Sequence, residues 1–166
     1  CAITVAKELE IYPIIDLKIN SDSLTCFGTQ INFSVSAPNA NYKYDWDFGD
    51  KNSYADNYSN VLSPSHIFSG LGNYTIVLSA YDDRGCTYFT TKEITITSIV
   101  ENVDIRSSSN NKCPGDTLTL STYYPYYKYK WNTSETTPTI KVVDPGKYIV
   151  TVYNEAGCLK ESFDEI

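Results

Sequence analysis

Methionine is absent from the 166 residues and histidine occurs once; Lys and Arg number 13 against 20 Asp and Glu, a formal charge of −7. Each shortage excludes something. Nucleic acid is excluded as a partner, because binding phosphate needs a clustered basic surface that this balance does not supply; the acidic excess reads as solubility. No apolar run approaches the roughly 18 residues of a membrane span, so no membrane insertion is expected. No window of a dozen residues places apolar side chains at helical spacing, which argues against helical and α/β folds. Close cysteine pairs of the C-x-x-C kind are missing, which disfavours a structural metal site. With one histidine, a serine or cysteine triad lacks a base; no catalytic residues and no enzyme activity are expected, and no cofactor.

Fifteen Tyr, with Thr, Ser, Ile and Val, dominate the chain, and these residues suit a pleated, half-buried surface. Alternation with period two marks the strands. Ile31, Phe33 and Val35 alternate with Gln30, Asn32 and Ser34, and Tyr148, Val150 and Val152 with Ile149 and Thr151. Tyr44 and Trp46 share parity and are predicted to point inward, with Lys43 and Asp45 toward water; Tyr129 and Trp131 follow the same rule. Turn residues punctuate the strands at Asn39–Asn41, Phe48–Asp50, Ser69–Gly70, Asp83–Gly85 and Asp144–Gly146. About seven short strands in each half predict a β-sandwich there.

The halves repeat each other. CAITVAKELEI from Cys1 matches CTYFTTKEITI from Cys86, Cys26-Phe27-Gly28 matches Cys113-Pro114-Gly115, and Tyr42–Trp46 matches Tyr127–Trp131. Gly72-Asn73-Tyr74 leads to Gly85-Cys86 as Gly146-Lys147-Tyr148 leads to Gly157-Cys158. A landmark order repeated this often is the mark of tandem modules. The expected division is residues 13–97 and 98–166, with 1–12 the last strand of a truncated preceding module. Sequence alone does not fix cysteine connectivity. The expected pairing is Cys26 with Cys86 and Cys113 with Cys158, one bridge per module beside its Trp. Cys1 is then orphaned, with a lipidated first residue as the other reading; a Cys26–Cys113 bridge would overturn these boundaries, and any bridge running between the halves would overturn the reading of one clamp per sandwich. Loops of such length are worth at most about 4 kcal/mol each, and disulfides imply an oxidising, extracellular location.

Tyr44-Asp45-Trp46-Asp47-Phe48-Gly49-Asp50, followed by Pro64-Ser65-His66-Ile67-Phe68 and Gly72-Asn73-Tyr74-Thr75, closely resembles a PKD (polycystic kidney disease) domain over about residues 13–97. The resemblance implies an immunoglobulin-like β-sandwich in which the W-D-F-G-D stretch ends a strand in a tight turn. Residues 98–166 lack that turn; with Tyr129–Thr137, Gly146–Val152 and Gly157-Cys158 they resemble Ig-like repeats of Bacteroidetes surface proteins. The expected fold is therefore all-β: two tandem immunoglobulin-like β-sandwich modules, the first PKD-type. Arrays of such modules are typical of large type IX-secreted adhesins, including SprB-like gliding-motility adhesins, so the resemblance implies a secreted, outer-membrane-associated cell-surface location.

The structural motif residues are Trp46, Asp47, Gly49, Asp50, His66 and Tyr74, with Trp131 and Tyr148 in the second half. His66, in the H-x-F element, reads as a structural hydrogen-bonding group. Asp45, Asp47 and Asp50 admit a calcium reading, since Ca²⁺ takes several carboxylate oxygens; the family reading has Asp47 and Asp50 accepting backbone N–H bonds in the turn. Tyr123, Tyr124, Tyr126, Tyr127 and Tyr129, about half of them core by parity, together with Tyr54, Tyr58 and Tyr153, offer amphipathic contact area for a surface polysaccharide or protein ligand. Asp22-Ser23-Leu24 and Asp116-Thr117-Leu118 resemble a short bacterial O-glycosylation motif. The expected function is that of non-catalytic stalk and adhesive repeats whose nearest partners are neighbouring modules. The alternative is accessory modules of a secreted hydrolase; a third reading is a filament in which modules contact copies of themselves.

Overall fold

The alternating segments form strands because one parity of each is apolar and finds an opposing apolar layer. The computed structural model describes residues 15–99, 102–109, 113 and 115–166. The expected strand over residues 1–12 lies outside the described residues.

In the N-terminal half the chain forms β1 (Ile19–Asn20), β2 (Leu24–Cys26), β3 (Ile31–Asn32), β4 (Ser34–Val35) and β5 (Lys43–Asp47). A 3-10 segment over Lys51–Asn57, for which period-two alternation carries no signal, leads to β6 (Tyr58–Ser59) and β7 (Ser65–His66). The long hairpin β8 (Gly72–Tyr81) and β9 (Thr87–Thr97) completes the half. One sheet has the order β2-β9-β8-β5-β6; the pairs β1-β4 and β3-β7 face it. All contacts are antiparallel except β2 with β9, which run parallel with Cys26 opposite Thr97.

The core between these layers holds the predicted parity. Ile31, Phe33 and Val35 come from one layer, and Tyr44, Trp46, Ile76, Leu78, Ala80, Ile94 and Ile96 from the other. Trp46 is 1% exposed and stacks near Phe33 and Phe48, while Lys43 and Asp45 face water.

The C-terminal half contains β10 (Ile105–Ser107), β11 (Leu118–Thr122), β12 (Lys128–Trp131), β13 (Thr139–Val142), β14 (Lys147–Tyr153) and β15 (Leu159–Glu165). They form two three-stranded sheets, β10-β11-β13 and β12-β14-β15. A second, separate core of Val103, Leu118, Leu120, Tyr129, Trp131, Ile140, Val142, Tyr148, Val150 and Val152 lies between them.

The same internal hydrogen bonds recur in both cores. Trp46 Nε1 donates to the Val61 carbonyl and Trp131 Nε1 to that of Thr137, each at 3.0 Å. Tyr74 Oη donates to the Gly70 carbonyl at 3.0 Å, and Tyr148 Oη to that of Asp144 at 2.8 Å. A ring, half-buried at Tyr74 and buried at Tyr148, whose hydroxyl reaches backbone four residues upstream fixes the entry of each long hairpin strand.

The bridge departs from expectation. Cys26 is bonded to Cys158, with a Cα separation of 5.4 Å, and Cys86 and Cys113 are free and exposed. The expected pairs Cys26–Cys86 and Cys113–Cys158 are ruled out by strand length. Cys26 sits opposite Thr97 at the last residue of β9, whereas Cys86 immediately precedes Thr87 at its first. At about 3.4 Å per residue those ends lie about 34 Å apart, where a disulfide requires Cα atoms within about 7 Å. Cys113 likewise groups with Glu165 and Ile166 at the end of β15, while Cys158 precedes its first residue, Leu159. The bridge therefore lies at the junction of the halves, with the Cys158 sulfur 3.5 Å from the Thr97 carbonyl, and not beside either Trp.

Candidate functional site

Three clusters carry the candidate residues: the aspartate turn after β5, the sulfur junction, and the tyrosine loops of the C-terminal half.

At the aspartate turn, Gly49 holds φ +69°, and a Cβ there would stand 2.6 Å from the Thr75 carbonyl oxygen on β8. Only glycine lets the turn lie this close to the sheet. Asp47 Oδ1 accepts from the Gly49 amide at 2.8 Å and from Asn57 Nδ2 at 2.8 Å. Asn57, 2% exposed, also accepts the Asp50 amide at 2.5 Å, so it ties the end of the 3-10 segment back to the turn.

Asp50 is the most buried carboxylate described, 1% exposed. Its Oδ2 accepts from the Ser69 amide at 2.7 Å and lies 3.1 Å from His66 Nε2, and its Oδ1 accepts from the Ser69 hydroxyl. His66 stacks on Phe48 and meets the edge of Phe68. Burial pushes the Asp50 carboxyl up, but the Ser69 hydroxyl and amide, and after them His66, outweigh it and hold the group below its ordinary 3.8. Asp45 points to solvent from β5. The three aspartates are thus not brought together as a ligand set: Asp47 accepts the turn amide of Gly49 as expected, Asp50 is instead committed to Ser69 and His66, outside the turn, and Asp45 is left in solvent. Among the described residues no group of three or more His, Cys, Asp or Glu is placed to hold a metal ion.

The C-terminal half has no such turn. Asn132 takes the position after the Trp, accepting the Ile149 amide at 3.0 Å and donating to the Lys147 carbonyl at 2.9 Å, which ties the strand end directly to β14.

Of the tyrosines, Tyr129 is buried and accepts the Tyr126 amide at 2.7 Å, whereas Tyr54, Tyr58, Tyr123, Tyr124 and Tyr127 are exposed. The Arg106 guanidinium lies 3.4 Å over the Tyr123 ring and Lys128 5.5 Å over Tyr127, arrangements favoured by the negative ring face. Tyr153 is half-buried beside the junction hairpin. A cleft of about 760 Å³ runs between the linker residues Thr97–Ile99 and the loop Tyr124–Tyr127. Ser23 and Thr117 of the short glycosylation-like motifs are exposed.

The PKD domain family matches residues 12–98, more than half of the chain. The chain belongs to the PKD domain family. Among solved structures, the PKD1 domain of Vibrio anguillarum Epp is 23% identical, with a TM-score of 0.37, over 50% of this chain and 90% of that one. Fibronectin(III)-like modules of Clostridium thermocellum CbhA align over 89% of this chain and 91% of theirs at 12% identity and TM-score 0.49. A Bacteroides ovatus SGBP-B structure in complex with a mixed-linkage heptasaccharide aligns over 94% of this chain and 45% of that one, at 9% identity and TM-score 0.34. PKD domains are commonly extracellular, repeat-like and non-catalytic. Among the described residues no helix is long and apolar enough to cross a membrane.

Proposed function

We propose that the chain is a pair of load-bearing modules, PKD-type over 13–97 and Ig-like over 98–166, from a large secreted bacterial cell-surface adhesin of the type IX, gliding-motility kind. The modules act as rigid stalk units that project or multiply weak contacts with a surface polysaccharide or protein, where repetition raises avidity as geometry permits. The exposed Tyr123, Tyr124 and Tyr127, with Arg106, are the contact surface this reading favours.

The observation that supports it is the junction bridge. Cys26 and Cys158 are 132 residues apart in sequence. Tension entering before Cys26 and leaving after Cys158 passes through the sulfur–sulfur bond, so the strands between the two cysteines are shielded and only β1, the start of β2, and β15, outside the bridged span, take the load directly. At about 3.5 Å per extended residue the bridge withholds roughly 460 Å of chain. A stalk under shear needs this property.

Pulling single oxidised chains by their termini tests the proposal. The expected record has no release of the segment between the bridged cysteines until reductant is added, after which both cores unfold with their full length. Full release from the oxidised chain would refute the load-bearing role.

A further inference from the structure

The four described cysteines occupy two kinds of turn, each present twice. The first is a Cys-x-Gly-x turn at the end of a sandwich where its last strand finishes. The Thr29 amide donates to the Cys26 carbonyl at 3.1 Å with Gly28 at φ +82°, and the Asp116 amide to the Cys113 carbonyl at 3.0 Å with Gly115 at φ +92°. Cys26 faces the end of β9; Cys113 shares a groove with the end of β15.

The second kind is the hairpin at the opposite end, closed by an Asp or Asn side chain. Asp82 Oδ1 accepts the Cys86 amide at 2.8 Å, and Asn154 Oδ1 the Cys158 amide at 2.9 Å. In both, the Cys carbonyl accepts the Asp or Asn amide at 3.1 Å, and the preceding glycine has positive φ, +87° at Gly85 and +81° at Gly157.

One turn of the first kind is bonded to one hairpin of the second kind, across the junction. The other turn and the other hairpin carry the free, exposed thiols. We propose that Cys113 and Cys86 are the two unmated halves of the same inter-module bridge. Cys113 receives the Gly-Cys hairpin of a further sandwich of this kind, and Cys86 is received by the Cys-x-Gly turn of another. The seat at Cys113 is a groove of about 800 Å³ with Leu118, Val143 and Ile166 on its walls and Asp144, Asp164 and Glu165 at its rim. Every module is then stapled to the next at its junction. The inference rests on reading the chain as successive modules, but not on what the array adheres to.

A second copy of this chain supplies the required hairpin. Bond formation needs a low-molecular-weight disulfide, here oxidised glutathione. The Cys113 thiolate attacks it and expels one glutathione thiolate. The Cys86 thiolate of the other copy then attacks the Cys113 sulfur of the mixed disulfide and expels the second. Two thiol protons pass to the two departing glutathiones, which carry away the two electrons.

The test uses full-length chains with Cys1→Ser throughout, because Cys1 matches the hairpin cysteines in sequence. One variant adds Cys86→Ser and the other Cys113→Ser; both positions are exposed, so the cores are untouched. Mixed in a glutathione redox buffer, they are expected to give crossed dimers, linked Cys113 to Cys86, in several-fold excess over either homodimer, and the excess disappears in urea. Crossed dimers and homodimers in random proportion would overturn the inference, as would monomers of each variant that carry glutathione on their one free thiol. Mapping the Cys26–Cys158 link in the same digest separates the two claims: its presence without crossed dimers overturns this inference alone, whereas its absence overturns the stapled-stalk reading.

Discussion

Replacing Asp50 by Ala should unfold the N-terminal core far more readily than its single charge suggests. The carboxylate is buried and serves three donors: the Ser69 amide, the Ser69 hydroxyl and His66 Nε2. Ser69 is at the surface and regains water when the carboxylate is gone. His66 does not; it is 5% exposed, between Phe48 and Phe68, and it loses its partner beside an emptied volume. An orphaned buried donor costs about 1–3 kcal/mol, toward the upper end where the lost acceptor was a carboxylate, so about 3 kcal/mol is expected in total. For a sandwich of this size that lowers Tm by roughly 12–24 °C. Circular dichroism melts against Asp45→Ala provide the comparison, since that solvent-facing carboxylate should change stability by less than about 0.5 kcal/mol. Equal shifts for the two variants, or a silent Asp50→Ala, would refute the reading of Asp50 as the bolt between the turn and the strand that carries His66.

Gly49→Ala should cost about 3 kcal/mol or more, because a left-handed backbone and an overlap with the Thr75 carbonyl act together. Gly28→Ala, at positive φ but with nothing within 4 Å, should cost only about 1 kcal/mol; urea titrations of the two would separate strain from overlap. Because Asp50 titrates below its ordinary 3.8 in the folded chain, its stabilisation is fully present above that range and lost as pH falls through the lowered value. Melts between neutral and strongly acidic pH should show that loss, and Asp50→Asn should flatten it; a loss confined to the alkaline side would contradict the assignment. Cys158→Ser should weaken the C-terminal core. With the N-terminal half folded, Cys26 stays beside Thr97, so the loop closed is the one from Thr97 to Cys158, 61 residues apart, worth about 4 kcal/mol in the chain-entropy model. Urea unfolding followed by Trp131 fluorescence, in a Trp46→Phe background, reads that change, and a difference below about 1 kcal/mol would sink it.

Much of the architecture was legible because burial in a sandwich is written with period two. Tyr44 and Trp46, Tyr129 and Trp131, and the runs ending in Val35 and Val152 all face inward as their parity requires. The sulfur pairing was not legible. Order along the chain shows that each half has a cysteine early and a cysteine at its last hairpin, but not that these lie at opposite ends of the sandwich. That follows from β2 lying parallel to β9 with Cys26 against its final residue, a contact between segments far apart in sequence. A count of strand ends held the signal: β9 runs 11 residues, so a cysteine before it and one beside its end cannot meet.

Asn57 was missed for a related reason. It looks like one more polar loop residue, and its part in closing the Asp47–Asp50 turn appears only once the 3-10 segment folds back. The calcium reading of Asp45, Asp47 and Asp50 followed from charge density and from alternation, which puts Asp45 and Asp47 on one face; what alternation does not show is that Asp47 and Asp50 each have their own donors.

One bridge, Cys26 to Cys158, joins the halves at their junction. Proteolysis of the oxidised protein without reductant, followed by mass spectrometry, reads it directly. One linked pair containing Cys26 and Cys158 is expected, with Cys86 and Cys113 open to alkylation; peptides linking Cys26 to Cys86, or Cys113 to Cys158, would contradict a bridge at the junction.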